Sequence, residues 1–76
     1  MESLYKEKYR ILGLKIAYYR KKEGMTQAWF AELIGRSTNF VAQVEAPSTI
    51  KGISLETLFR MAEVLKVPPS KLLEED

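Results

Sequence analysis

Between residues 26 and 45 the apolar positions fall into two short runs at helical spacing, separated by a glycine. Phe30, Ala31 and Ile34 share one helix face behind the cap-type residue Thr26, which predicts a helix over 27–34. Gly35 supplies the backbone freedom that a sharp stop requires. Ser37 then caps a second run, whose apolar positions Val41 and Val44 predict a helix over 38–45. Upstream, Tyr5, Tyr9, Leu12, Ile16 and Tyr19 follow a four-three-four-three spacing. That spacing predicts the core face of a long first helix, from Leu4 to Glu23, stopped by Gly24. A second apolar stripe of Leu4, Ile11, Leu14 and Tyr18 lies about a third of a turn round. Downstream, Pro47 and Gly52 mark 46–53 as a loop. Ser54 caps a helix over Leu55–Leu65 with Glu56 in its first turn, and Pro68-Pro69 open a short last helix through Leu73. The expectation is an all-α chain of five helices without a strand or an internal repeat.

The side of residues 38–45 opposite Val41 and Val44 shows Thr38, Asn39, Ala42 and Gln43. A helix face with no function usually carries Lys and Glu, whereas this one has Asn and Gln four residues apart on one exposed line. Each can make a bidentate pair with adenine N6 and N7, and Thr can offer its methyl to thymine. Ala42 between them is small enough for a helix to sit deep in a major groove. Thr38, Asn39 and Gln43 are therefore the candidate base-contacting residues; the bland alternative is a solvated helix face.

The run GMTQAWFAELIGRSTNFVAQVE resembles the helix-turn-helix of the lambda-repressor/Cro-like (Xre-type) DNA-binding domains. Gln27, Ala31, Gly35, Ser37, Val41 and Glu45 stand at the family's spacing, with Leu12, Gly13, Ile16 and Arg20 upstream and Leu55, Leu58, Ala62, Leu65, Val67 and Leu72 downstream. The resemblance covers about residues 12–73 and implies a compact five-helix lambda-repressor-like domain, in which residues 1–11 extend the first helix. It implies a phosphate contact, or a brace for a recognition residue, at Gln27, whose amide and nearby helix-start N–H groups can both meet a phosphate oxygen. It also implies an ion pair between Arg20 and Glu45, charged residues on otherwise core-facing sides, which would set the angle of the recognition helix. Arg36 departs from the family, which usually has an aliphatic residue there. Its stem can lie on the core with the guanidinium on a phosphate, or it can be plain surface. The loop departs too: Ala46-Pro47 replace the usual Gly, and the segment is about two residues longer. Ser48, Thr49 and Lys51, with the helix start at Ser54, are further candidate phosphate contacts, although Pro47 and the extra length put the usual loop contacts in question.

Composition narrows the function classes. Seventy-six residues suit one small domain over 1–76, with 26–45 as its helix-turn-helix and 74–76 as an acidic tail. The absence of Cys and His excludes disulfides, thiolate or imidazole metal sites and His-based catalysis, so no enzyme, metal or cofactor is expected. No segment is apolar enough to span a membrane and the N-terminal stretch is too charged for a signal peptide, so the expected location is cytoplasmic. Net charge is only +2, with +4 over residues 1–24, zero over 25–53 and −2 over 54–76. A single domain should therefore hold double-stranded DNA weakly. The expectation is a sequence-specific transcriptional regulator acting as a homodimer, at least on DNA. The alternative is an antitoxin-like or adaptor module that binds a protein partner through the same fold. For the second stripe of helix 1 the choices are packing on Val67, Leu72 and Leu73 or a subunit interface. Trp29 and Leu33, one turn apart, either lie over helix 1 and the long loop or form a contact surface.

Overall fold

The computed structural model describes residues 4–75; Met1–Ser3 of the expected N-terminal extension and Asp76 of the acidic tail lie outside it. The described residues form five helices and no strand: α1 (Lys6–Lys22), α2 (Gln27–Ile34), α3 (Thr38–Glu45), α4 (Leu55–Leu65) and α5 (Pro69–Leu73). This is the expected all-α architecture with an extended first helix, and α2, α3 and α4 have the bounds that the capping residues predict. Their starts share one device. The hydroxyl of Thr26 accepts from the Trp29 N–H at 3.0 Å, that of Ser37 from Phe40 at 3.0 Å, and that of Ser54 from Thr57 at 3.1 Å. Each satisfies a helix-start N–H that has no partner within the helix.

The stops are equally local. Gly35 takes φ 72°, and the following Arg36 N–H reaches back to the Ala31 carbonyl at 2.9 Å, so the chain turns sharply between α2 and α3. At the end of α4 the same left-handed position is held by Lys66 with φ 64°, although glycine suits it better. The Lys66 side chain is exposed and reaches Glu23 only at 3.6 Å.

The core is built from Ile16, Phe30, Val41, Met61, Leu65 and Leu72, all fully buried, with α2 and α3 packed on each other, α1 across α3, and α4 joining α2 to α5. Gly13 is what lets α1 approach α3. A Cβ there would lie well under 3.0 Å from the Val44 carbonyl oxygen, and 3.5 Å from the Glu45 Cα. Three apolar expectations change. Tyr5 is exposed because α1 starts only at Lys6, so Tyr5 stands outside the helical register of Tyr9 and Leu12. Leu55, in the first turn of α4, is also exposed, while Met25, Phe40 and Met61 join the core instead. The second stripe of α1 is not packed away either. Leu14 and Tyr18 remain 45% and 59% exposed, and with Ile11, Lys71 and Glu74 they line an open groove of about 500 Å³ between α1 and α5. Leu73 points outward rather than onto the stripe, since α5 buries Leu72 alone.

Candidate nucleic-acid interface

The angle of α3 is held from its C-terminal end. Arg20 donates from Nε to Glu45 Oε2 at 2.7 Å and from Nη2 to Oε1 at 2.9 Å, a two-pronged pair with both side chains buried. Its remaining Nη1 donates to the Met25 carbonyl at 2.7 Å, which ties the same guanidinium to the turn after α1. Gln27 completes the set by donating from Nε2 to Glu45 Oε1 at 3.0 Å. Thus α1, the start of α2 and the end of α3 meet at one carboxylate. No buried side-chain N or O atom among the described residues lacks a hydrogen-bond partner. A desolvated charge pair of this kind adds little net stability while complete, but loss of one member leaves the other uncompensated.

At the other end of α3, Thr38 and Asn39 are exposed and Gln43 is half-buried one turn further on, with Ala42 between. The turn and the long loop bring two cations beside them. The Arg36 guanidinium carbon lies 4.1 Å from the centroid of the Phe40 ring, and Lys51 Nζ lies 5.7 Å from the same centroid. Arg36 and Lys51 are thus gathered on one side chain. Ser54 is not gathered with them in the same way. Its hydroxyl accepts from the Thr57 N–H and donates to Thr57 Oγ1, so it serves the start of α4.

Two cations of α1 are paired with carboxylates inside the chain. Arg10 hydrogen-bonds Glu7, which holds the Glu7 carboxyl below its ordinary pKa and raises that of Arg10. Lys8 pairs with Glu75 of the tail at 3.1 Å, and Lys71 with Glu74 at 3.5 Å. Trp29 and Leu33 stay about half exposed on α2, at 52% and 46%. Among the described residues no three metal-type side chains cluster, and no helix is long and apolar enough to cross a membrane.

Sequence reasoning passed over two residues here. Phe40 sits beside Val41 and one turn before Val44, so the i, i+1, i+4 pattern used for α2 would have found it. Met25 contributes only a main-chain carbonyl to Arg20, for which side-chain chemistry carries no signal.

Two short helices joined at a left-handed glycine, with the second tied by hydrogen bonds at its far end and polar at its near end, define a helix-turn-helix. A family profile described as helix-turn-helix matches residues 16–72, and the chain belongs to this lambda-repressor/Cro-like family. Solved structures agree. The restriction-modification controller protein C.AhdI from Aeromonas hydrophila superposes with a TM-score of 0.77 at 25% identity, over 84% of this chain and 94% of that one. The N-terminal DNA-binding domain of SinR from Bacillus subtilis gives 0.78 at 27% identity, over 88% and 96%. SinR described as the master regulator for biofilm formation, solved in complex with DNA, gives 0.76 at 27% identity, over 83% and 98%. No curated protein sequence matches the chain.

Proposed function

We propose that the chain is a sequence-specific DNA-binding transcriptional regulator that lays α3 in the major groove as one half of a dimer. The observation that carries this reading is the Thr38–Asn39–Gln43 line, exposed at Thr38 and Asn39 and half-buried at Gln43, on a helix whose far end is clamped by Arg20 and Gln27 through Glu45. Base readout is served by hydrogen-bonding side chains on a helix held at a fixed angle, and α3 carries amides on one line and the Glu45 hydrogen bonds at its end. Thr38, Asn39 and Gln43 would contact base edges, and Arg36 and Lys51 would contact phosphate. Gln27 keeps its side-chain oxygen and its second amide proton beyond the bond to Glu45, so it would both brace α3 and reach backbone. Ser54 would act through the start of α4 rather than through its hydroxyl.

A dimer follows from charge. With a net charge of only +2 and with Lys8 and Arg10 paired to Glu75 and Glu7, one chain would neutralise few phosphates, and a single half-site would bind weakly. Two chains on half-sites about one helical turn (roughly 34–36 Å) apart would combine their contacts. In vitro selection of random duplex DNA with purified protein tests the whole reading: enrichment of a palindrome is expected, and recovery of unenriched sequence would overturn it. A second reading, an antitoxin-like or adaptor module for a protein partner, is favoured by half-exposed Trp29 and Leu33 and the open α1–α5 groove. The two readings are not exclusive, since one such chain can bind both DNA and a protein.

A further inference from the structure

Phe40 occupies an unusual place. It follows Asn39 on α3, yet only 6% of its surface is exposed, and two cations from separate segments lie against its ring. Arg36 comes from the turn between α2 and α3, and Lys51 from the loop before α4. Their distances to one centroid mean that the two charges can be no further apart than those distances laid end to end. Among the described residues neither cation is paired with a carboxylate, whereas Arg10, Lys8, Lys66 and Lys71 all are. An aromatic face attracts a cation without neutralising it and without taking its N–H donors, as a carboxylate would. The charge and hydrogen-bonding capacity of both groups therefore remain available, while their rotamers are restricted.

From this geometry we propose that Phe40 is a positioning residue: it seats Arg36 and Lys51 as a two-cation clamp for the phosphodiester backbone beside the recognition helix. The proposal rests on the DNA-binding reading above. It gives a role to the exposed Arg at 36, in a turn position where the family usually has an aliphatic residue, whose guanidinium lies over an aromatic ring. It also gives the lengthened loop a role, because the loop carries Lys51 back to the same ring. Neither cation then needs to be ordered when DNA arrives, so less rotamer freedom is lost on binding.

The test is a mutant cycle read by fluorescence anisotropy with a labelled duplex of the selected site and one of random sequence, titrated across salt. Arg36→Gln/Lys51→Gln is expected to lower the slope of log K against log salt by about two, one for each phosphate that is no longer neutralised. Phe40→Leu is expected to weaken binding about tenfold to both duplexes in the parent background, since two side chains are no longer held in place. In the Arg36→Gln/Lys51→Gln background the same change should matter less than about twofold, and Phe40→Tyr should bind like the parent. Equal losses from Phe40→Leu in both backgrounds, or none in the parent, would show that the ring acts only through the fold and overturn the clamp alone. A parent protein that binds neither duplex overturns the DNA-binding reading itself. Proton NMR of the free parent keeps the clamp testable even where Phe40→Leu fails to fold. Ring-current upfield shifts are expected on the side-chain methylenes of Arg36 and Lys51, and ordinary shifts on both would overturn the proposal.

Discussion

Replacing Gly13 by Ala adds one methyl group at the point where α1 crosses α3, and the consequence can be worked from the surroundings. The new Cβ would fall well under 3.0 Å from the Val44 carbonyl oxygen, 3.3 Å from the carbon of that carbonyl and 3.5 Å from the Glu45 Cα, all of them main-chain atoms. No side chain can swing aside, so α1 and α3 must separate as bodies. Overpacking of a tight site destabilises by about 1–3 kcal/mol, and occasionally by more where nothing can yield. Against this, Ala favours a helix interior over Gly by about 0.8–1 kcal/mol. The clash wins, because backbone against backbone belongs at the upper end of that range, and a net loss of about 2 kcal/mol is expected. For a domain of this size that is a fall in Tm of roughly 8–16 °C. Thermal unfolding followed by circular dichroism measures it. Gly52→Ala is the control, since nothing lies within 4 Å of a Cβ at that position and its Tm should barely change. A Gly13→Ala protein that melts at or above the parent temperature would refute the close approach of the two helices.

Four further outcomes are expected. Arg20→Ala should destabilise the chain by about 3–5 kcal/mol by leaving buried Glu45 with Gln27 as its remaining side-chain donor, while an apolar pair of matched volume at 20 and 45 should lose far less; denaturant titration measures both, and an unchanged midpoint for Arg20→Ala would mean the pair is solvated. Asn39→Ala and Gln43→Ala should each lose about 1–3 kcal/mol against the selected site and little against random duplex, and mutants that bind the selected site like the parent would remove these two residues from base recognition. Lys66→Gly should raise stability by about 0.5–1 kcal/mol, because relief of the left-handed strain exceeds the added freedom of the unfolded chain and the exposed Glu23 pair contributes almost nothing; a lower Tm would contradict the strain at φ 64°. Sedimentation of protein saturating a full palindromic site should give two chains per duplex, and one chain per duplex would rule out the dimer.

The helix-turn-helix was legible in the sequence because its signals are local. Thr26, Ser37 and Ser54 cap, Gly35 turns, and each acts within four residues of itself. The charges of Arg20 and Glu45 on core-facing sides pointed to each other for a similar reason, since a buried charge needs a partner. What could not be read locally was how elements meet. The exposure of Leu14 and Tyr18 depends on where α5 comes to rest, and that follows from Leu72 alone being drawn inward. The seat on Phe40 likewise depends on a loop whose length departs from the family. Gly13 fitted the family spacing, but its packing role appears only when the Val44 carbonyl is placed against it.

The residues that hold α3 and those that face outward from it are separate sets. Orientation rests on Arg20, Gln27 and Glu45 and on the contact at Gly13, none of which lies on the Thr38–Asn39–Gln43 line. Selection on one set is thereby decoupled from selection on the other. On the proposed reading, a lineage of such chains could exchange one operator for another by drift at positions 38, 39 and 43, with the residues that orient α3 left unchanged. The same separation carries an expectation under that reading: a library randomised at 38, 39 and 43 should consist mostly of folded proteins, and its members should differ in the sequence they bind.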